Sequence, residues 1–178
     1  MGDNHNSLVR EIAISSLFGA IIFLEKAVLP AIYDKIISVF LQMLLLSLSF
    51  LIAGFTGPVL TGFISGLLTA LTRSSLGWMT FTFSLLYGFL VSVLYRLLGV
   101  VRSGEVRAGR LMAGALISTL LVGVMSAMTS MALKVVPYNP KLVVLIMIAG
   151  SIQGLVGGFL SLKVYMRYIK GVYPVNRG

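Results

Sequence analysis

The 178 residues are 58% hydrophobic and only 11% charged, a balance far from that of a water-soluble domain, so most of the chain belongs in lipid. The net charge of +9 comes from 14 basic against five acidic residues. The basic residues are scattered between apolar runs and form neither a block nor a basic amphipathic helix, which speaks against nucleic acid as a partner and for anchoring at membrane surfaces. With no cysteine in the chain, disulfides, thiolate metal sites and thiol nucleophiles are excluded.

A helix needs about 20 residues to cross a hydrocarbon core of about 30 Å, so apolar intervals between charges and turn residues mark the expected spans. The first covers 7–28, where Arg10 and Glu11 at one end and Glu25 and Lys26 at the other can snorkel to the interfaces. Arg10 ahead of the apolar run 12–24 has the look of a signal peptide, but no small-x-small cleavage site follows, and the segment is read as a retained helix. Residues 29–35, with Pro30, Tyr33 and Asp34, read as a loop. The interval 36–72 carries no charge and is too long for one crossing. Gly54, Gly57 and Pro58 divide it into helices at 36–54 and 58–72, the latter short. A loop around Arg73 leads to the fourth helix, 78–101, and a basic polar loop through Arg102, Arg107 and Arg110 to the fifth, 110–133. Lys134, Pro137, Tyr138, Asn139 and Pro140 turn the chain into the sixth, 141–168. The expected fold is therefore an all-α integral membrane bundle of six transmembrane helices, a single domain over 1–178.

Counting Lys and Arg on the two sides places both termini in the cytoplasm of a multi-pass cell-membrane protein. Arg10, Arg96, Arg102, Arg107, Arg110, Lys163, Arg167, Lys170 and Arg177 then lie inside, against Lys26, Lys35, Arg73, Lys134 and Lys141 outside. Aromatic girdles fit the same frame, with Tyr33, Trp78 and Tyr138 outside and Tyr95, Tyr165, Tyr168 and Tyr173 inside.

Chemistry is tested by what the chain lacks. The single histidine, His5, lies in a polar tail, and neither a His-Glu-x-x-His zinc motif nor a Walker phosphate loop occurs. None of the acidic residues Asp3, Glu11, Glu25, Asp34 and Glu105 falls at mid-membrane, where proton-coupled carriers place ionisable groups. No catalytic residue, metal site or cofactor is assigned, and active transport would draw its energy from another subunit. A lipid-modifying enzyme holding phosphates with Arg102, Arg107 and Arg110 is disfavoured by the lack of an acidic pair or histidine beside them.

Small residues at four-residue spacing let membrane helices approach closely. Gly150, Gly154 and Gly158 form one such row, Gly62 and Gly66 another, and both are read as helix packing. On the first helix the pairs Ser15/Gly19 and Ser16/Ala20 serve either internal packing or docking of a partner subunit. Tyr87, Gln153 and Gln42 lie within spans, where a polar group needs a partner. At the expected outer end Glu25, Asp34, Arg73, Trp78, Tyr138 and Asn139 come from three loops facing one side, the convergence of aromatic faces and polar groups that a small-molecule pocket needs.

The size, the span pattern, the small residues of the first helix, the segment Gly57-Pro58-Val59-Leu60-Thr61-Gly62-Phe63-Ile64-Ser65-Gly66 and the stretch Tyr87-Gly88-Phe89-Leu90 together resemble the substrate-binding S components of energy-coupling-factor vitamin transporters. The resemblance covers most of 8–168, although that family's first helix usually shows Ala-x-x-x-Ala where this chain has Ser15/Gly19 and Ser16/Ala20. It implies a non-enzymatic subunit that captures a vitamin or precursor from outside and docks on a membrane coupling subunit driven by two cytoplasmic ATPase subunits. Around the ligand it places Glu25, Arg73, Trp78, Tyr138, Asn139 and Gln153, to which the polar Tyr87 within the fourth helix is added as a candidate contact, and at the docking surface Ser15, Ser16, Gly19 and Ala20. A structural or assembly subunit without a small-molecule ligand stays open as the alternative.

Overall fold

The computed structural model of the protein describes residues 3–29, 31–72, 77–102, 104–134 and 139–171. Its elements are α1 (Asp3–Val28), α2 (Ala31–Ala53), α3 (Thr56–Thr72), α4 (Gly77–Leu97), a hairpin of β1 (Val101–Arg102) and β2 (Glu105–Val106), α5 (Ala108–Ala132) and α6 (Pro140–Val164), which runs into a π-helical turn, Tyr165–Ile169. Three helical segments, Gly77–Leu97, Ala108–Ala132 and Val143–Ile169, are long and apolar enough to cross a membrane, which marks the chain as a membrane protein. The apolar stretches Ile37–Ala53 and Thr56–Thr72 are shorter, and α1 carries charges near both ends.

Breaks fall where backbone geometry demands them. Gly54 adopts φ +66° between α2 and α3, a left-handed conformation that glycine takes without a Cβ clash. Helix α2 starts at Ala31, so residues 31–35 of the segment expected to be a loop form its first turn; charged residues propagate a helix nearly as well as many apolar ones. Helix α4 stops at Leu97 rather than continuing to 101. Gly99 turns the chain at φ +59°, and the Val100 amide donates back to the Tyr95 carbonyl (3.0 Å). Arg107 N–H then donates to Val100 O (2.8 Å), and the antiparallel hairpin pairs Val101 with Val106 and Arg102 with Glu105. Asn139 caps α6, its side chain accepting from Lys141 N–H (3.0 Å), with Pro140 at the first helical position.

The six helices form a ring in the order α1, α3, α4, α5, α6, α2, closing on α1, and α2 also touches α3, α4 and α5 across the centre. Helix α2 is thus in contact with all five others, which explains why nearly every residue from 42 to 53 is buried. Facing residues fix the directions. Gly62 lies against Ser84 and Gly88 against Pro58, so α3 and α4 are antiparallel; Ser15 meets Thr61 while Lys26 lies beside Thr69 and Thr72, so α1 and α3 are parallel.

Glycine sets the closest approaches. A Cβ at Gly62 would stand 2.5 Å from the Ser84 carbonyl oxygen, and one at Gly88 would collide with the Pro58 carbonyl. On α6 the row Gly150, Gly154 and Gly158 faces α5, meeting Thr119 and Ala115, while Gly157 lies against Phe40 and Met43 of α2. Backbones in lipid associate through such packing because lipid tails supply no hydrophobic drive between helices.

Candidate functional site

Polar side chains line the helix contacts in layers. In one, Ser15 of α1, Ser49 of α2 and Thr61 of α3 meet: Ser15 Oγ and Ser49 Oγ are 3.2 Å apart, and Thr61 Oγ1 lies 3.0 Å from Ser49 Oγ and 3.2 Å from the Ser15 carbonyl. In the next, Gln42 Nε2 donates to Ser84 Oγ (3.2 Å), which is 2.7 Å from Ser65 Oγ, joining α2, α4 and α3. A third joins α4 to α5 and α2, with Tyr87 OH 2.7 Å from Thr119 Oγ1 and 3.3 Å from Met43 Sδ. Thr119 Oγ1 also donates to the Ala115 carbonyl of its own helix (2.8 Å), and Tyr87 OH can donate to Met43 Sδ, so the two hydroxyls share four polar atoms at this level. Beside the Ser49 layer Ser47 Oγ meets Tyr95 OH at 2.7 Å, and Ser92 Oγ donates to the Phe55 carbonyl (2.8 Å). Each layer satisfies polar groups that would otherwise be costly away from water.

The Tyr87–Thr119 pair is a clean place to weigh one such bond. A double-mutant cycle of Tyr87→Phe and Thr119→Val should return a coupling of about 0.6 kcal/mol, measured as unfolding free energy in detergent micelles. A coupling near zero would mean that each hydroxyl finds an equivalent partner when the other is gone.

The residues expected around a ligand are spread over two levels. Trp78, in the first turn of α4, is 82% exposed and stacks edge-on against Phe81 at 6.3 Å. Asn139 is exposed and engaged as the α6 cap. Glu25 lies in the last turn of α1, half-buried, with both carboxylate oxygens shielded from solvent. Tyr87 is fully engaged in the interior, nine residues along α4 from Trp78, about 13 Å by helical rise. Gln153 is half-buried one turn from Gly157, on the face of α6 that meets α2. Arg73 and Tyr138 lie outside the described residues. The structure therefore groups Glu25, Trp78 and Asn139 at one end of the bundle and sets Tyr87 apart from them.

At that same end a partly open cleft of about 260 Å³ lies between the parallel α1 and α3, lined by Phe23, Lys26, Ala27, Leu29, Thr69 and Thr72. Thr69 Oγ1 donates to Ser65 O (2.7 Å) and Thr72 Oγ1 to Leu68 O (3.1 Å), so both hydroxyls keep acceptor capacity. Sequence reasoning singled out none of the cleft residues as ligand contacts. The available signal was the spacing of Thr61, Ser65 and Thr69, a polar row at every fourth residue beside the Gly62/Gly66 row.

Of the α1 pairs, Ser15 and Gly19 are buried: Ser15 bonds Ser49, and a Cβ at Gly19 would stand 2.9 Å from Ile64 Cβ. Ser16 and Ala20 are half-buried and flank an exposed face made of Val9, Ala13, Leu17 and Leu24.

No protein-family model matches the chain, and neither a curated protein nor a solved structure matches it.

Proposed function

We propose that the chain is the membrane-embedded, substrate-binding subunit of an ATP-driven importer of the energy-coupling-factor type, capturing a small vitamin or vitamin precursor on the outer side. In this reading all six helices cross the cell membrane, with both termini in the cytoplasm. The short α3 and the charged ends of α1 are accommodated by snorkelling and local thinning. The observation that carries the reading is the outer-end cleft of about 260 Å³ above an interior closed by hydrogen-bonded hydroxyls. Its volume lies just below the range of about 300–1,000 Å³ usual for small-molecule sites, so only a small ligand fits without opening it. Its lining of one aromatic ring, one ammonium and two hydroxyl acceptors suits a compact, partly polar ligand. The exposed α1 face bordered by Ser16 and Ala20 is the surface offered to a coupling subunit, Ser15 and Gly19 being used inside the bundle. ATP hydrolysis belongs to partner subunits.

Trp78 is the only tryptophan, so its fluorescence reads the outer end directly. Titrating the purified chain with a panel of vitamins and precursors should give saturable quenching for one class. Lys26→Ala, Arg73→Ala and Trp78→Ala should each weaken binding about tenfold, the last followed by calorimetry. A panel without binders, together with no coupling subunit recovered by affinity purification from native membranes, would sink the proposal. The exposure of Trp78 and the inward engagement of Tyr87 favour the second reading, an assembly subunit of a membrane complex, and that outcome would select it.

A further inference from the structure

The connection between α4 and α5 is built as a rigid platform. Val100 is fully buried, Val101 and Val106 pack against the core, and backbone bonds tie Val100 to Tyr95 and Arg107 to Val100. Arg110 Nη1 donates to the Leu98 carbonyl at 2.9 Å and fastens the start of α5 to the end of α4. What this platform presents is positive charge. Arg102 and Arg107 are exposed and make no side-chain hydrogen bond or ion pair among the described residues, and Glu105 is the one carboxylate of the connection. Helices α4 and α6 flank α5 in the ring, and their ends add Arg96, Lys163, Arg167 and Lys170, all exposed. We propose that this end of the bundle binds the headgroups of anionic phospholipids in the leaflet it faces.

Two features favour a lipid over a free anion or an acidic protein. The same helices expose Leu97, Phe159 and Met166 within about one turn of these cations, apolar side chains interleaved with the charges as contact with both acyl chains and headgroups requires. Guanidinium groups match phosphate oxygens in paired hydrogen bonds, and the first amides of α5, beside an Arg107 that supplies no side-chain cap, point to the same end. An arc of cations over three adjacent helices is the shape of a lipid annulus, and its attraction to an anionic leaflet falls with salt. The inference is independent of what the outer cleft binds.

The test is thermal unfolding of the purified full chain in neutral detergent, with phosphatidylglycerol or phosphatidylcholine added. Phosphatidylglycerol should raise the midpoint by roughly 4 °C more than phosphatidylcholine. R102Q/R107Q should lose most of that difference, R102K/R107K should retain much of it, and K134Q/K141Q at the opposite end should leave it unchanged. Equal responses to the two lipids in the wild-type chain, or a full response in R102Q/R107Q, would overturn the proposal. So would an equal rise with glycerol 3-phosphate alone, which would assign the surface to a free anion, or a rise with polyglutamate where phosphatidylglycerol gives none, which would assign it to an acidic protein.

Discussion

Replacing Gly88 with alanine should destabilise the fold by about 3 kcal/mol, seen as a large drop in unfolding free energy in detergent and in the yield of folded protein. The added Cβ points at the Pro58 carbonyl, with the carbonyl carbon 2.9 Å and Val59 Cα 3.4 Å away. All of these are backbone atoms, so no rotamer change relieves the clash and α3 and α4 must separate. Separation also stretches the Ser65–Ser84 bond between the same two helices and disturbs the Ser84 hydroxyl that accepts from Gln42 of α2. Alanine at Gly123, where a Cβ meets nothing within 4 Å, is the control and should be close to neutral. If the two variants unfold alike, the close contact of α3 and α4 is not what holds this half of the ring.

The largest single side-chain effect should come from Tyr95→Ala, about 4 kcal/mol by the same measurement. Tyr95 is fully buried, meets Phe50 edge-to-face at 5.1 Å, bonds Ser47 through its hydroxyl and has Gly114 of α5 pressed on its ring. It therefore ties α4 to both α2 and α5. Tyr95→Phe keeps the ring and removes only the hydroxyl, so it should cost about 1 kcal/mol. A phenylalanine variant as damaged as the alanine variant would move the weight from packing to the Ser47 bond.

How far the sequence reaches depends on the kind of interaction. The division of 36–72 at Gly54 was legible because a glycine-proline cluster interrupts an apolar run, and the structure puts a left-handed φ there. The end of α4 was not, because residues 97–101 are as apolar as the helix before them. Only the burial of Val100 and its bond to the Tyr95 carbonyl distinguish a turn from another helical step. The start of α2 misled for the opposite reason: polarity marks solvent, not the loss of helix.

At the candidate site the limits are similar. Tyr87 stood out as a polar group inside an apolar helix, but whether its hydroxyl faces a ligand or Thr119 depends on which helices are neighbours, and spacing along one helix carries no such information. The serines and threonines of the interior layers drew little notice because each can satisfy its proton on a carbonyl of its own helix, as Thr69 does on Ser65 and Ser161 on Gly158. Ser15 and Ser16 are adjacent in sequence, yet one is locked to α2 and the other flanks the outer face.

The central position of α2 also bears on how the protein is made. It leaves the ribosome ahead of α3 to α6, but the groups that receive Gln42, Ser47 and Ser49 lie at Ser84, Tyr95, Ser15 and Thr61. Only one of those four has been synthesised when α2 is complete. Until α4 emerges, the polar face of α2 has to be sheltered by the insertion machinery or by water at the bilayer surface. Nascent chains halted between α2 and α4 should consequently be recognised as incomplete and degraded, while chains halted after α4 already hold their central polar contacts.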